Sequence, residues 1–82
     1  MKQYLFTVFD RVAGEKGEYA PPIPFPSVGE AKRWFETKIR NETLFKDNKS
    51  DFELWKVGEF DSESGIVTPG TFLDTKGDSI NV

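Results

Sequence analysis

The chain has 82 residues, a mass of 9.4 kDa and a formal net charge of −3. That length supports one small core and no second one; with no Cys and no His it excludes disulfides, zinc sites built on those residues, and thiolate or imidazole catalysis. The acidic balance is the wrong sign for a surface that grips phosphates everywhere, while 37% hydrophobic and 15% aromatic residues argue for a folded, ring-rich domain over a disordered chain.

Residues 3–10, Gln-Tyr-Leu-Phe-Thr-Val-Phe-Asp, are aromatic and β-branched types that suit a strand. Tyr4, Phe6 and Val8 would share one face, and Leu5, Thr7 and Phe9 the other. Large apolar groups on both sides predict a central position in a sheet. Two glycines and several charges over Val12–Glu18 then predict a turn. Tyr19 to Phe25 carries Pro21, Pro22 and Pro24, so any strand there lies at an edge or is polyproline-like.

Ser27 followed three residues later by Glu30 is a capping-box signature. Val28, Ala31, Phe35 and Ile39 recur at helical spacing beside Trp34 and form one apolar stripe. The spacing predicts a helix over 28–41. Residues 41–50 are polar apart from Leu44 and Phe45 and read as a loop pinned by that pair. Asp51 to Asp61 alternates as a strand, with Phe52, Leu54 and Lys56 opposite Glu53, Trp55 and Val57. Gly58 marks a bulge or a close backbone approach.

Asp61–Gly65 reads as a turn, and Ile66-Val67-Thr68 as a short returning strand. Residues 69–82 are polar around isolated Phe72, Leu73 and Ile80 and read as a C-terminal tail, partly docked at best. The expectation is a single α+β domain over 1–68. Its antiparallel sheet would have three to four strands, with one amphipathic helix packed on one face. One helix covers one face, so aromatic groups are left on the other. Exposed area of that kind meets a second copy of the chain, a homodimer, or stacked bases.

Nothing in the chain approaches the ~20 apolar residues of a membrane span, and the first residues do not read as a signal peptide. Residues 28–50 hold six basic and four acidic side chains. Lys32, Arg33, Lys38, Arg40, Lys46 and Lys49 are therefore the candidate phosphate contacts, against the plain alternative of a solvated helix surface. Tyr19 and Phe25, beside prolines, are the better candidates for base stacking; Tyr4, Phe6 and Phe9 are others unless the helix buries them. Trp34 and Phe35 read as core, and Trp55 is divided between core and a dimer contact. Glu59, Asp61 and Glu63 lack the further ligands of a calcium loop. Ser27 is a cap without an activating base. No catalytic, cofactor or metal site is expected, so the protein is read as not an enzyme.

Tyr4-Leu5-Phe6-Thr7-Val8-Phe9-Asp10, Ala20-Pro21-Pro22, Ser27-Val28-Gly29-Glu30-Ala31 and Leu54-Trp55-Lys56-Val57-Gly58-Glu59-Phe60-Asp61 before Ser64-Gly65 form a wider pattern. Together they resemble the small non-structural protein of gokushovirus-type microviruses, phages with circular single-stranded DNA genomes. The resemblance implies DNA binding, preferably single-stranded, at the switch to single-strand synthesis and packaging. It also implies a host-cytoplasmic location, with phage replication or capsid proteins as further partners. A protein–protein adaptor of the same machinery, without nucleic-acid contact, is the alternative that the acidic charge keeps open.

Overall fold

The computed structural model describes residues 1–82. Strand β1, Lys2–Asp10, is central, as its two apolar faces predict. On one side it pairs antiparallel with β4, Phe52–Asp61, over its whole length. On the other side two short strands share its edge: β2, Glu18–Tyr19, opposite Phe9 and Asp10, and β3, Ile23–Phe25, opposite Tyr4 to Phe6. Strand β5, Val67–Lys76, pairs with β4 and forms the far border.

The sheet thus has five antiparallel strands, one more than the upper end of the sequence expectation. The extra one comes from the proline segment. Pro21 and Pro22 cannot donate to a ladder, so the edge divides into two short pieces around them. The Ala20 N–H still bonds to the Val8 carbonyl at 3.0 Å, and the Thr7 hydroxyl donates to the Ala20 carbonyl. Gly17, at φ 85°, closes the preceding turn so near the Phe9 ring and the Asp10 carbonyl that a side chain has no place there.

Helix α1, Val28–Asn41, has the predicted limits. The Ser27 hydroxyl accepts the Glu30 N–H at 3.1 Å, which is the half of the capping box that forms. Ala31, Phe35 and Ile39 are fully buried against Phe6, Phe52 and Leu54, and Tyr4, Val8, Phe25, Val28, Trp34 and Phe45 ring this core. Residues 41–50, expected as a loop, instead form a short helix α2, Thr43–Asp47, and enter a 3-10 turn at Lys49–Asp51. Phe45 packs on Phe52 at 4.3 Å between ring centroids, but Leu44 is 65% exposed and pins nothing.

The tail expected over 69–82 is not a tail, and the 1–68 boundary does not hold as a structural limit. The returning strand runs on to Lys76, a 3-10 turn follows at Gly77–Ser79, and Ile80 is a core residue. Gly77 makes this closure possible. A Cβ there would run into the Lys49 carbonyl and lie 2.9 Å from the Phe52 carbonyl oxygen. Lys49 then donates to the Ile80 carbonyl at 2.7 Å, and Arg40 to the Asn81 carbonyl at 3.1 Å.

The molecule is 16 Å across in its thinnest dimension, enough for one sheet and one helical layer. No element covers the second face of the sheet. Register places Leu5, Thr7 and Phe9 of β1, Trp55 and Phe60 of β4, and Val67 and Leu73 of β5 on that open face.

Candidate nucleic-acid interface

The basic candidates lie in the helical layer, whereas the Tyr19 ring lies on the other side of the sheet. Lys32, Arg33, Lys38, Arg40, Lys46 and Lys49 all belong to the helical layer, and most are committed within the fold. Lys32 faces Asp74 at 3.9 Å, Lys38 pairs with Glu42 at 2.9 Å, and Arg40 meets Glu36 at 3.4 Å. Lys38 also lies over the Trp34 and Phe45 rings, at 5.2 and 5.1 Å, and Lys49 is tied to the Ile80 carbonyl. Only the Arg33 and Lys46 side chains are without an ionic or hydrogen-bonding partner in the chain. The ion pairs of Lys32 and Arg40 are exposed ones of small energy, so Arg33 and Lys46 are the cations of this set that the chain itself does not engage.

Phe25 is not a free platform either. Its ring meets Phe6 edge-on at 6.0 Å and Trp34 at 5.4 Å, on the helix side of the sheet. Phe6 is core, and Tyr4 lies beneath the Lys56 ammonium at 5.2 Å on that same side. Their shared side follows from period two along β1.

Tyr19 is different. Register puts it opposite Phe9, and the two rings lie 4.4 Å apart. Trp55 meets Tyr19 edge-on at 6.1 Å. The three strands β2, β1 and β4 thus set Tyr19, Phe9 and Trp55 side by side on the open face. Tyr19 is 52% exposed, and Phe9 and Trp55 are half-buried. The Trp55 indole N–H donates to Glu53 at 2.9 Å, satisfying the ring's one polar group. Leu73, opposite Trp55, and Lys76, opposite Glu53, extend the surface onto β5.

Sequence reasoning named Tyr19, Phe9 and Trp55 separately and did not join them. It read only the start of β5, as the short returning strand Ile66-Val67-Thr68, and missed the extension that carries Leu73 and Lys76. The β-forming run Thr71-Phe72-Leu73 was the available signal.

A second charged group lies at the opposite end of the helix-side face. Glu59 receives Lys56 at 2.9 Å and Lys2 at 3.1 Å. Hydrogen bonds from Lys56 and Lys2 hold its carboxyl below the usual carboxylate range, and the bond to Glu59 raises the Lys2 ammonium above its ordinary value. Asp61 is also lowered, chiefly by the Glu63 backbone N–H. These charges neutralise one another and form no open anion cradle. No three metal-ligating side chains converge, and no helix is long and apolar enough to cross a membrane.

No curated protein and no solved structure matches the chain. A family model described as Phage ORF5 protein matches residues 3–76, from the start of β1 to the end of β5. The strand expected to be a tail therefore lies inside the family's unit. The chain belongs to the Phage ORF5 protein family and is a bacteriophage protein.

Proposed function

We propose that this is a non-catalytic phage accessory protein that binds single-stranded DNA on the open face of its sheet, within the host cytoplasm. The observation that carries the reading is the contiguous Phe9–Tyr19–Trp55 cluster on a face no element covers. Unpaired bases stack on aromatic rings set in a sheet, at ~1–3 kcal/mol per base. Duplex bases are already stacked and offer no such surface. With a net charge of −3, affinity rests on stacking more than on counterion release, so binding weakens less with salt than for a basic protein. The resemblance to gokushovirus-type microvirus proteins supports a role at the switch to single-strand synthesis and packaging.

The test uses Trp55 as its own reporter. A Trp34→Phe variant has one indole left, and titration with oligothymidine at low salt is expected to quench it. Duplex of the same length is expected to leave it bright. No quenching with micromolar protein at low ionic strength would overturn the reading. It would favour the second one, an adaptor that meets a protein or a second copy of this chain through the same face. The acidic net charge is the observation on that side.

A further inference from the structure

We propose that the depression between β2 and α2 is a docking site for a lysine or arginine side chain of a partner protein. It is a cavity of ≈ 250 Å³ walled by Val8, Ala20, Phe45 and Phe52, with Asp10 and Glu18 as its only charged lining residues. That volume is below the roughly 300–1,000 Å³ of small-molecule sites, so it suits one side chain and not a nucleotide. Apolar walls with carboxylates match an alkyl stem that ends in a cation. The Phe45 ring, which also lines it, adds a favourable surface for that charge.

The two carboxylates are poorly provided for within the chain. Asp10 and Glu18 are direct partners in the β1–β2 ladder, and like charges placed so destabilise a strand pair. Neither enters an ion pair. Asp10 accepts the Val12 N–H at 3.1 Å through one oxygen, and no basic residue lines the depression. Glu59, by contrast, has two lysines on it. A cation supplied from outside would relieve the Asp10–Glu18 repulsion.

Charge complementarity therefore selects the occupant. Phosphates are repelled, and a second copy of a chain with net charge −3 would bring overall repulsion with any cation it offered, whereas a basic segment of another protein supplies the cation without it. The depression lies on the helix side of the sheet, since Asp10 pairs with the core residue Phe52. Its walls are thus distinct from the stacking face except at Tyr19.

The probe is the peptide acetyl-Val-Lys-Val-amide, titrated into ¹⁵N-labelled protein to about 10 mM, a range that detects millimolar binding. Counterparts carrying norleucine or glutamate in place of the lysine are run in parallel. The lysine peptide is expected to shift the amides of Ala13, Glu18 and Ala20 and to bind roughly five- to tenfold more tightly than the norleucine peptide. The glutamate peptide is expected not to bind. In an Asp10→Asn, Glu18→Gln double variant, lysine and norleucine peptides should bind alike. Equal binding by the wild-type protein, shifts centred on the open face, or no shifts at all would overturn the proposal. So would the same shifts produced by raising protein concentration alone, which would make a second copy the occupant. The three-peptide comparison on the wild-type protein decides even if the double variant does not fold.

Discussion

Trp55 and Glu53 lie two residues apart on one strand, share the open face, and are joined by the indole N–H at 2.9 Å from the carboxylate. The bond fixes the ring and places a negative charge beside the proposed stacking surface. Replacing Trp55 by Leu should weaken oligothymidine binding by about 1–3 kcal/mol, roughly 5- to 150-fold. The helix signal in circular dichroism should stay unchanged, because Trp55 is outside the core. Glu53→Gln keeps an acceptor for the indole and removes the charge, so binding at low salt should tighten. Anisotropy titrations read both effects, and equal affinity for the Leu variant and the wild type would remove Trp55 from the interface.

Ile80 tests the C-terminal closure. Its side chain is 4% exposed within the core cluster, so Ile80→Ala should cost about 2–5 kcal/mol. A shift of the urea midpoint at constant slope is the measurement. A loosely docked end would instead leave the midpoint unmoved.

Gly77→Ala should be as damaging by another route. The added methyl meets two backbone carbonyls, those of Lys49 and Phe52, and neither can swing aside as a side chain can. Overpacking against fixed backbone typically costs ~1–3 kcal/mol or more, and the midpoint should fall accordingly. Ser79→Ala is the control, because Ser79 only bonds the Lys76 carbonyl at an exposed position.

Ser27→Ala removes the one side-chain cap of α1 and should cost ~1 kcal/mol, while Ser27→Asp should restore most of it. Glu30→Ala should cost less than Ser27→Ala, because no bond from the Glu30 side chain back to Ser27 completes the box. Thermal melts of the three variants check the order.

The Lys2–Glu59–Lys56 group sets a pH signature. The Glu59 carboxyl is depressed by Lys56 and Lys2, so its contribution is complete above the unfolded carboxylate value of ~4.3 and fades as pH falls through the folded one. Lys2 is raised by Glu59. Its contribution is complete below the unfolded lysine value of ~10.4 and fades as pH rises through the folded one. Between those limits it is flat. Glu59→Gln should reduce the stability slope at both ends, measured as urea midpoints across pH. The effect should be small because the group is partly exposed.

Some elements were legible because their signals are local. The Ser27 cap and the Val28–Ala31–Phe35–Ile39 stripe lie within one segment and set the limits of α1 without help from the rest of the chain. Gly58 was read as a bulge or close approach, and the ladder does shift register beside it, with the Thr68 carbonyl 2.9 Å from where its Cβ would be. Beyond Thr68, strand β5 was hidden for a physical reason. It is an edge strand with few buried side chains, Pro69 and Gly70 interrupt it, and its pairing jumps twice, so no period of two survives in its sequence. The candidate interface was hidden by tertiary pairing. Whether Lys32, Lys38, Arg40 or Lys49 is free depends on Asp74, Glu42, Glu36 and the Ile80 and Asn81 carbonyls, several of them distant in sequence.

The divided β2–β3 edge has one more consequence. Pro21, Pro22 and Pro24 take three donors from that border, whereas the longer β5 border lacks only that of Pro69, so β5 is the better edge for another strand. A sheet with two such borders can grow copy upon copy into a fibre; one with a single receptive rim stops at a closed pair. The proline-lined side thus opposes edge-to-edge growth of the sheet.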